Sequence, residues 1–417
     1  MDAAMVPADV VWMLVSSALV LLMTPGLAFF YGGLVKRKNV LNTMMSCVIM
    51  VGVGSILWVL IGYSLSFSGD IGGVIGDLKW VALNGVSSTS AGPWLPTVPN
   101  LCFTIFQMMF AIITPALITG AVVERIRFSS LVVFLIVWSV IVYYPLAHMV
   151  WGGGFLADIG SIDFAGGNVV HISSGVSALV LSLLVGSRKH HGKITYHPHN
   201  IPFVFLGATL LLFGWYGFNA GSAGAANGLA IHAFMTTNTS AAAALLTWLL
   251  IEKIHTGKPS LVGASTGLVI GLVAITPGAG FVPIWASMII GALVSPICYF
   301  FITVVKPKFG YDDSLDAFGC HGIGGIWGGI ATGIFAQKSI NSVAKWDGLI
   351  FGETRLFLRQ LAAIGITIAI AVVGTLLAAG VARLLTGKLH VPVSSEDVGL
   401  DAAEHGESAY PSYLGID

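Results

Sequence analysis

Apolar runs of about twenty residues, separated by short polar or glycine-rich joints, recur along the whole chain. Eleven can be marked, at 10–33, 41–67, 101–122, 129–150, 168–187, 202–221, 226–251, 260–276, 283–305, 317–337 and 359–386. Each approaches the ~20 residues that let a helix cross a bilayer. The pattern therefore predicts an all-α polytopic membrane protein with eleven transmembrane helices. The eighth segment is the shortest and is rich in glycine.

The charged positions test that count. Fourteen of the nineteen Lys and Arg residues fall in alternate joints, from Lys36–Lys38 to Lys388, and five (Lys79, Lys338, Lys345, Arg355, Arg359) fall in the others. Basic residues gather on the cytoplasmic side of a membrane protein. The expected topology thus has the N-terminus outside and the C-terminus in the cytoplasm. One helix more or fewer would scramble the asymmetry.

Composition agrees. The chain is 56% hydrophobic and 9% charged, too few charges to cover a soluble globule of this size. A net charge of zero argues against a nucleic-acid partner. Cys47, Cys102, Cys298 and Cys320 show no paired spacing, so neither a disulfide framework nor a metal knuckle is expected. The start, "MDAAMVPADVVWMLV", lacks the basic region of a cleavable signal peptide.

Within the spans one internal repeat stands out. "DFAGGNVVHISSG" carries Asp163 and His171, and "DDSLDAFGCHGIGGIWGGI" carries Asp313 and His321, offset by the same 150 positions. Both stretches open glycine-rich helices, the fifth and tenth, which must run in opposite directions. Five helices per half is an odd number, so the halves form an inverted pair, as in many transporters. Each His is expected eight residues into its helix, ~12 Å deep, so both arrive near the midplane. There the two imidazoles can satisfy each other by a hydrogen bond. A lone membrane His can instead bond a neighbouring backbone or Ser group, but two at matched depth favour a shared role. Asp163 and Asp313 stand where they can cap the first free amides of their helices.

Aromatic groups converge on one end of the same region. "FQMMF" sets Phe106 and Phe110 one turn apart with Gln107 between, and "HMVWGGG" ends the fourth helix with His148 and Trp151. "FGWYGFNAGSAG" ends the sixth with Trp215, Phe218 and Ser222. An indole face with a hydroxyl oxygen suits a small cation. The plainer reading of such residues is the aromatic belt at a membrane interface.

These motifs, with "AVVERIRFSS", "PLAHMVWGGGFLA" and "GKPSLVGASTGLVIGLVAITPGAGFV", resemble the ammonium transporter (Amt/Mep/Rh) family, of prokaryotic Amt type, in collinear order from about residue 10 to about 413. The resemblance implies two inverted five-helix halves (about 10–190 and 200–340) and an extra helix (about 359–386) in a membrane domain of 1–389. It also implies a homotrimer in the cell membrane with a pore in each subunit, and no enzyme, cofactor, catalytic residue or metal. By resemblance, Trp151, Phe110 and Ser222 form an outer recruitment site for ammonium, and Phe110 with Phe218 closes the pore. His171, His321 and Trp215 line the path, with Thr266 where relatives often have Ser. Asp163, with Asp313 as its repeat partner, supports the site, and Cys320 only packs. The substrate is ammonium or ammonia, with methylammonium as a further candidate, taken across the lipid bilayer.

The segment 390–417 is polar and acidic, with Glu396, Asp397, Asp401, Glu404 and Glu407. It resembles the family's cytoplasmic regulatory tail, where a trimeric PII-type signal protein binds in many prokaryotic members. The bland alternative is a disordered acidic tail. A non-transporting ammonium sensor would share fold and recruitment site. A metal carrier using His148, His171 and His321 lacks an acidic or Cys cluster at that depth, and a carbon dioxide channel would not need the cation site of Trp151 and Ser222.

Overall fold

The computed structural model describes residues 5–410. Nine helices among them are long and apolar enough to span a bilayer. They are α1 (Pro7–Leu34), α2 (Arg37–Phe67), α3 (Asn100–Ala121), α4 (Phe128–Asp158), α5 (Gly167–Val185), α6 (Ile201–Ala220), α7 (Gly228–His255), α9 (Ile284–Phe309) and α11 (Thr354–Thr386). Two shorter ones complete the set of eleven: α8 (Leu261–Ile275), the glycine-rich eighth segment, and α10, which runs through Phe318–Ile323 and Gly324–Phe335. The protein is all-α, and among the described residues only isolated β-bridges occur.

The halves α1–α5 and α6–α10 have inverted topology. Helix α1 packs along α6, α7 lies against α8 and α9, and α11 lies against α4, α5 and α10. The repeat extends to local irregularities. Wide π-helical turns interrupt α4 at Ser139–Tyr143 and its counterpart α9 at Phe301–Val305. They also open α5 at Gly167–Ile172 and α10 at Phe318–Ile323. Such turns often mark functional positions. The chain after each Asp is anchored alike: Phe164 N–H donates to Pro277 O beyond α8, and Leu315 N–H donates to Gly120 O at the end of α3.

The joints rich in Lys and Arg share one face with residues 390–410. This tail is folded. Leu400 N–H donates to Asn39 Oδ1, Asn42 N–H to Asp401 Oδ1, Phe128 N–H to Glu404 Oε2 and Lys189 N–H to Glu396 Oε2. Short helices at Val393–Val398 and Asp401–His405 carry three of those acceptors, Glu396, Asp401 and Glu404. The expected segment 390–417 is thus ordered through Tyr410, and 411–417 lie outside the described residues. We call this the tail face and the other end the vestibule face.

Under the tail lies an ion cluster that the sequence pattern did not announce. Arg188 donates from Nε and Nη2 to Asp312 (2.9 and 2.7 Å) and from Nη1 to Glu124 (2.8 Å), all three residues being buried. Burial alone would raise the Glu124 carboxyl. The Arg188 charge, the Lys36 N–H and the Asn39 amide outweigh it and hold the group below its ordinary range. Asp312 is likewise driven down, against its burial, by Arg188 and Arg125.

Removing the cation should be costly, because it takes the nearest positive charge from two buried carboxylates. Arg188→Leu is expected to lose about 3–5 kcal/mol, read as a lower thermal midpoint in detergent. Both carboxyls have depressed folded-state values. Their contribution is therefore complete above the ordinary carboxylate range and lost as pH falls below about 4. The wild-type midpoint should drop on that acidification, and the variant's midpoint should drop less.

Candidate functional site

Helices α5 and α10 meet at glycine. A methyl group on Gly175 would lie 2.1 Å from Gly322 N, and one on Gly325 would lie 3.0 Å from His171 Cβ. Small residues at a crossing allow this approach, and it sets His171 and His321 side by side. Their ring centroids are 5.4 Å apart with planes 15° from parallel, and both residues are buried.

Two expectations are corrected here. The helices begin at Gly167 and Phe318, within a residue of the marked bounds, so each His sits within about a turn and a half of its helix start rather than eight residues in. The connections that follow Asp163 and Asp313 carry the remaining depth. Nor do the imidazoles bond one another: His171 Nδ1 and Nε2 and His321 Nδ1 find no hydrogen-bond partner among the described residues. The rings stack, and stacked rings point their in-plane N–H and lone pairs past each other.

The stack continues toward the vestibule face. Trp215 lies 5.4 Å from His171 at 18°, and Phe218 lies 6.2 Å from it at 26°. Phe218 in turn meets Phe110 at 4.3 Å, and Phe110 stands edge-on to Trp151 at 6.0 Å. Three cavities follow this line. On the vestibule face a hollow of about 430 Å³ is walled by Trp151, Phe110, Ser222, Gln107 and Asp163. A pocket of about 10 Å³ lies beyond it, among Phe218, Trp215, His171, His321 and aliphatic side chains. That is about the least space a water-sized molecule needs. On the tail face a cavity of about 170 Å³ is lined by Thr266, Cys320, Asp316, Glu124, Arg188 and Tyr196. Phe110 faces the first cavity and Phe218 the second, so the pair is the partition between them.

Each predicted residue can now be placed. Trp151 donates its indole N–H to Asp163 O (2.9 Å), which presents the ring face to the hollow. Ser222 donates its hydroxyl to Phe218 O (2.8 Å), leaving its oxygen lone pairs free. Asp163 accepts four amides, from Gly166, Gly167, Asn168 and Val169, and Asp313 accepts two, from Ala317 and Phe318. Both carboxylates therefore do the work of caps, as expected. Thr266 lines the tail-face cavity, and its hydroxyl bonds Val262 O. Cys320 also reaches that cavity rather than only packing.

Sequence reasoning missed two supports. Thr276 Oγ1 accepts the Trp215 indole N–H (2.9 Å) and holds that ring against His171. Gln360, wholly buried in α11, exchanges two hydrogen bonds of 2.8 Å with the Ile162 backbone, next to Asp163. Neither residue lies in a repeated motif. Each stands at the end of an apolar run, Thr276 before Pro277 and Gln360 beside Arg359, where a polar side chain draws no notice.

Comparison with known proteins places these features in a wider set. Residues 11–410 match the model of the Ammonium Transporter Family. The ammonium transporter of Bacillus subtilis is 48% identical over 402 residues, covering 96% of this chain and 98% of the relative. Ammonium transporter Amt1 of Archaeoglobus fulgidus is 44% identical, covering 96% and 99%. The crystal structure of Saccharomyces cerevisiae Mep2 superposes with a TM-score of 0.89 at 36% identity, covering 99% of this chain and 93% of that one. A sensor Amt protein superposes at 0.86 with 25% identity, covering 95% and 98%.

Thr276→Val keeps the side-chain volume and removes the acceptor of the Trp215 N–H. It should cost about 1–3 kcal/mol, the penalty for an unpaired buried donor, seen as a lower thermal midpoint. Thr276→Ser should retain most of the wild-type value.

Proposed function

The chain belongs to the ammonium transporter family, and from that premise we propose how it recruits and passes its substrate. Ammonium enters the 430 Å³ hollow and is held by the Trp151 face, the Phe110 ring and the Ser222 oxygen. It loses a proton before the Phe110–Phe218 partition. Ammonia then crosses the small pocket past His171 and His321, with or without the proton following, and leaves through the tail-face cavity lined by Thr266. Asp163 and Asp313 support the two entrances.

The observation that carries this reading is the state of the twin imidazoles. Three ring nitrogens stay unpartnered inside an apolar pocket. Each lost hydrogen bond in such a place costs about 1–3 kcal/mol. A small molecule with both N–H and a lone pair supplies what they lack. A bare cation would cost several kcal/mol or more in the same pocket, so the neutral form is the one that passes. Potassium resembles ammonium in size but has no N–H to give the Ser222 oxygen.

The same reading sets the surroundings. The protein works as a homotrimer in the cell membrane, with the vestibule face outside and the tail face, like the C-terminus, in the cytoplasm. The tail, stapled to three joints of that face by four hydrogen bonds, regulates conduction and offers a surface to a PII-type signal protein.

Purified protein in proteoliposomes, on a solid-supported membrane, tests the proposal by pulses of ammonium and then potassium. Ammonium-dependent current with potassium inert is expected if the proton follows, and internal alkalinisation without current if it does not. Trp151→Leu removes a cation–π contact of about 1–2 kcal/mol, so half-saturation should rise roughly 5–30-fold. His171→Asp and His321→Ala should abolish transport or its selectivity. Binding of ammonium with neither signal would sink transport and favour the sensor.

A further inference from the structure

His148 lies on α4 one turn before Trp151 and plays no part in the passage described above. Its side chain is wholly buried, and both ring nitrogens have partners. Nδ1 is 3.1 Å from Ser66 O at the end of α2, and Nε2 is 2.9 Å from Asp70 Oδ1. A backbone carbonyl can only accept. The Asp70 carboxyl, 51% exposed, also accepts from Gly73 N–H through the same Oδ1, so that oxygen too is an acceptor. A neutral imidazole owns a single N–H. It could satisfy one of these acceptors and would turn a lone pair on the other. Both contacts are satisfied together when the ring carries both protons.

The ring also shapes the turn that bears Trp151. His148 O accepts the N–H of Gly152 (2.9 Å) and of Gly154 (3.1 Å). A methyl group on Gly152 would lie 2.8 Å from His148 Nδ1, and one on Gly154 would lie 3.0 Å from its Cδ2. The glycine turn is thus pressed onto the imidazole. Phe155 N–H donates to Gly73 O (2.7 Å), fixing the loop of Asp70 to the far side of the same turn. Other charges in this corner are engaged elsewhere: Asp77 with Ser68 and the Lys79 N–H, and Lys345 with Asp158 O.

We propose that His148 is a buried imidazolium clamped between Ser66 O and Asp70, and that this clamp is a positioning device for Trp151 in the recruitment hollow. The proposal rests on the recruitment role given to Trp151. A misplaced indole binds the cation less well, whereas the pocket of the twin histidines is untouched.

Asp70→Asn and Asp70→Ala separate the charge from the contact. Asn can turn its amide N–H toward Nε2 of a neutral ring, which keeps both His148 hydrogen bonds without an ion pair but gives up the Gly73 N–H contact; Ala keeps only the bond to Ser66 O. Nitrogen-15 NMR of histidine-labelled protein in lipid should find both His148 nitrogens protonated near neutral pH in the wild type, and one bare in Asp70→Asn. In ammonium-pulse currents, Asp70→Ala should raise half-saturation severalfold with the maximal current kept within about twofold, and Asp70→Asn should restore it. A neutral His148 in the wild type overturns the imidazolium. An unchanged half-saturation in Asp70→Ala overturns the positioning role. If the wild type carries neither current nor ammonia flux, the transport reading has failed instead, and the NMR result still stands or falls alone.

Discussion

Backbone touches backbone where α5 crosses α10, and the site depends on that contact. At Gly175 a single methyl would fall 2.1 Å from Gly322 N and 2.4 Å from its Cα. In a bilayer there is no gain from hiding one apolar helix against another, so close van der Waals approach must hold the pair. His171 precedes Gly175 by one turn and His321 precedes Gly322 by one residue. The rings therefore have no freedom to be apart. Any larger residue at the crossing would separate them and open the 10 Å³ pocket, and in the proposed passage it would admit water where rejection of cations rests on dryness. Stability and selectivity share one constraint here.

How far the sequence reveals this arrangement depends on the kind of signal. The helices are legible because lipid imposes length and composition on each: the expected 359–386 is the helix Thr354–Thr386, and 202–221 is Ile201–Ala220. The pairing of Asp163 with His171 and Asp313 with His321 is legible because inverted duplication preserves spacing. The hydrogen bond expected between the imidazoles fails because equal depth says nothing of ring orientation, which the neighbours Trp215 and Phe218 decide by stacking. Thr276 and Gln360 stay hidden for a related reason. Each acts across helices on a partner far away in the chain, and no local pattern encodes that. The ion cluster of Arg188, Glu124 and Asp312 joins three separate joints and is equally invisible to a linear reading.

The buried polar groups divide by how they are satisfied. Asp163 and Asp313 take helix amides, Trp215 takes Thr276, and Trp151 takes a backbone oxygen. His171 is the one side chain among the described residues with two buried, unpartnered nitrogens. Natural proteins rarely leave such atoms unpaired, and a fold able to bring Thr276 to Trp215 could have brought a hydroxyl to His171. Leaving the ring open costs stability, and the cost falls in the smallest of the three cavities, where on the proposed reading an incoming molecule offsets it.

The two halves also differ where symmetry would make them equal. The third position after Asp163 is Gly166, with φ +122°, and the third after Asp313 is Asp316, with φ +58°. Left-handed backbone comes freely to glycine and costs about 1–3 kcal/mol in most other residues. At the vestibule face glycine takes this conformation freely, and a Cβ there would meet Val170 Cγ2 at 2.5 Å. At the tail face the aspartate accepts the strain and pairs with Lys306 at 2.6 Å. The inherited repeat thus supplies one backbone path twice. The residue at its turn differs between the two faces: glycine follows the Asp163 that walls the aromatic hollow, and a charged aspartate lines the tail-face cavity.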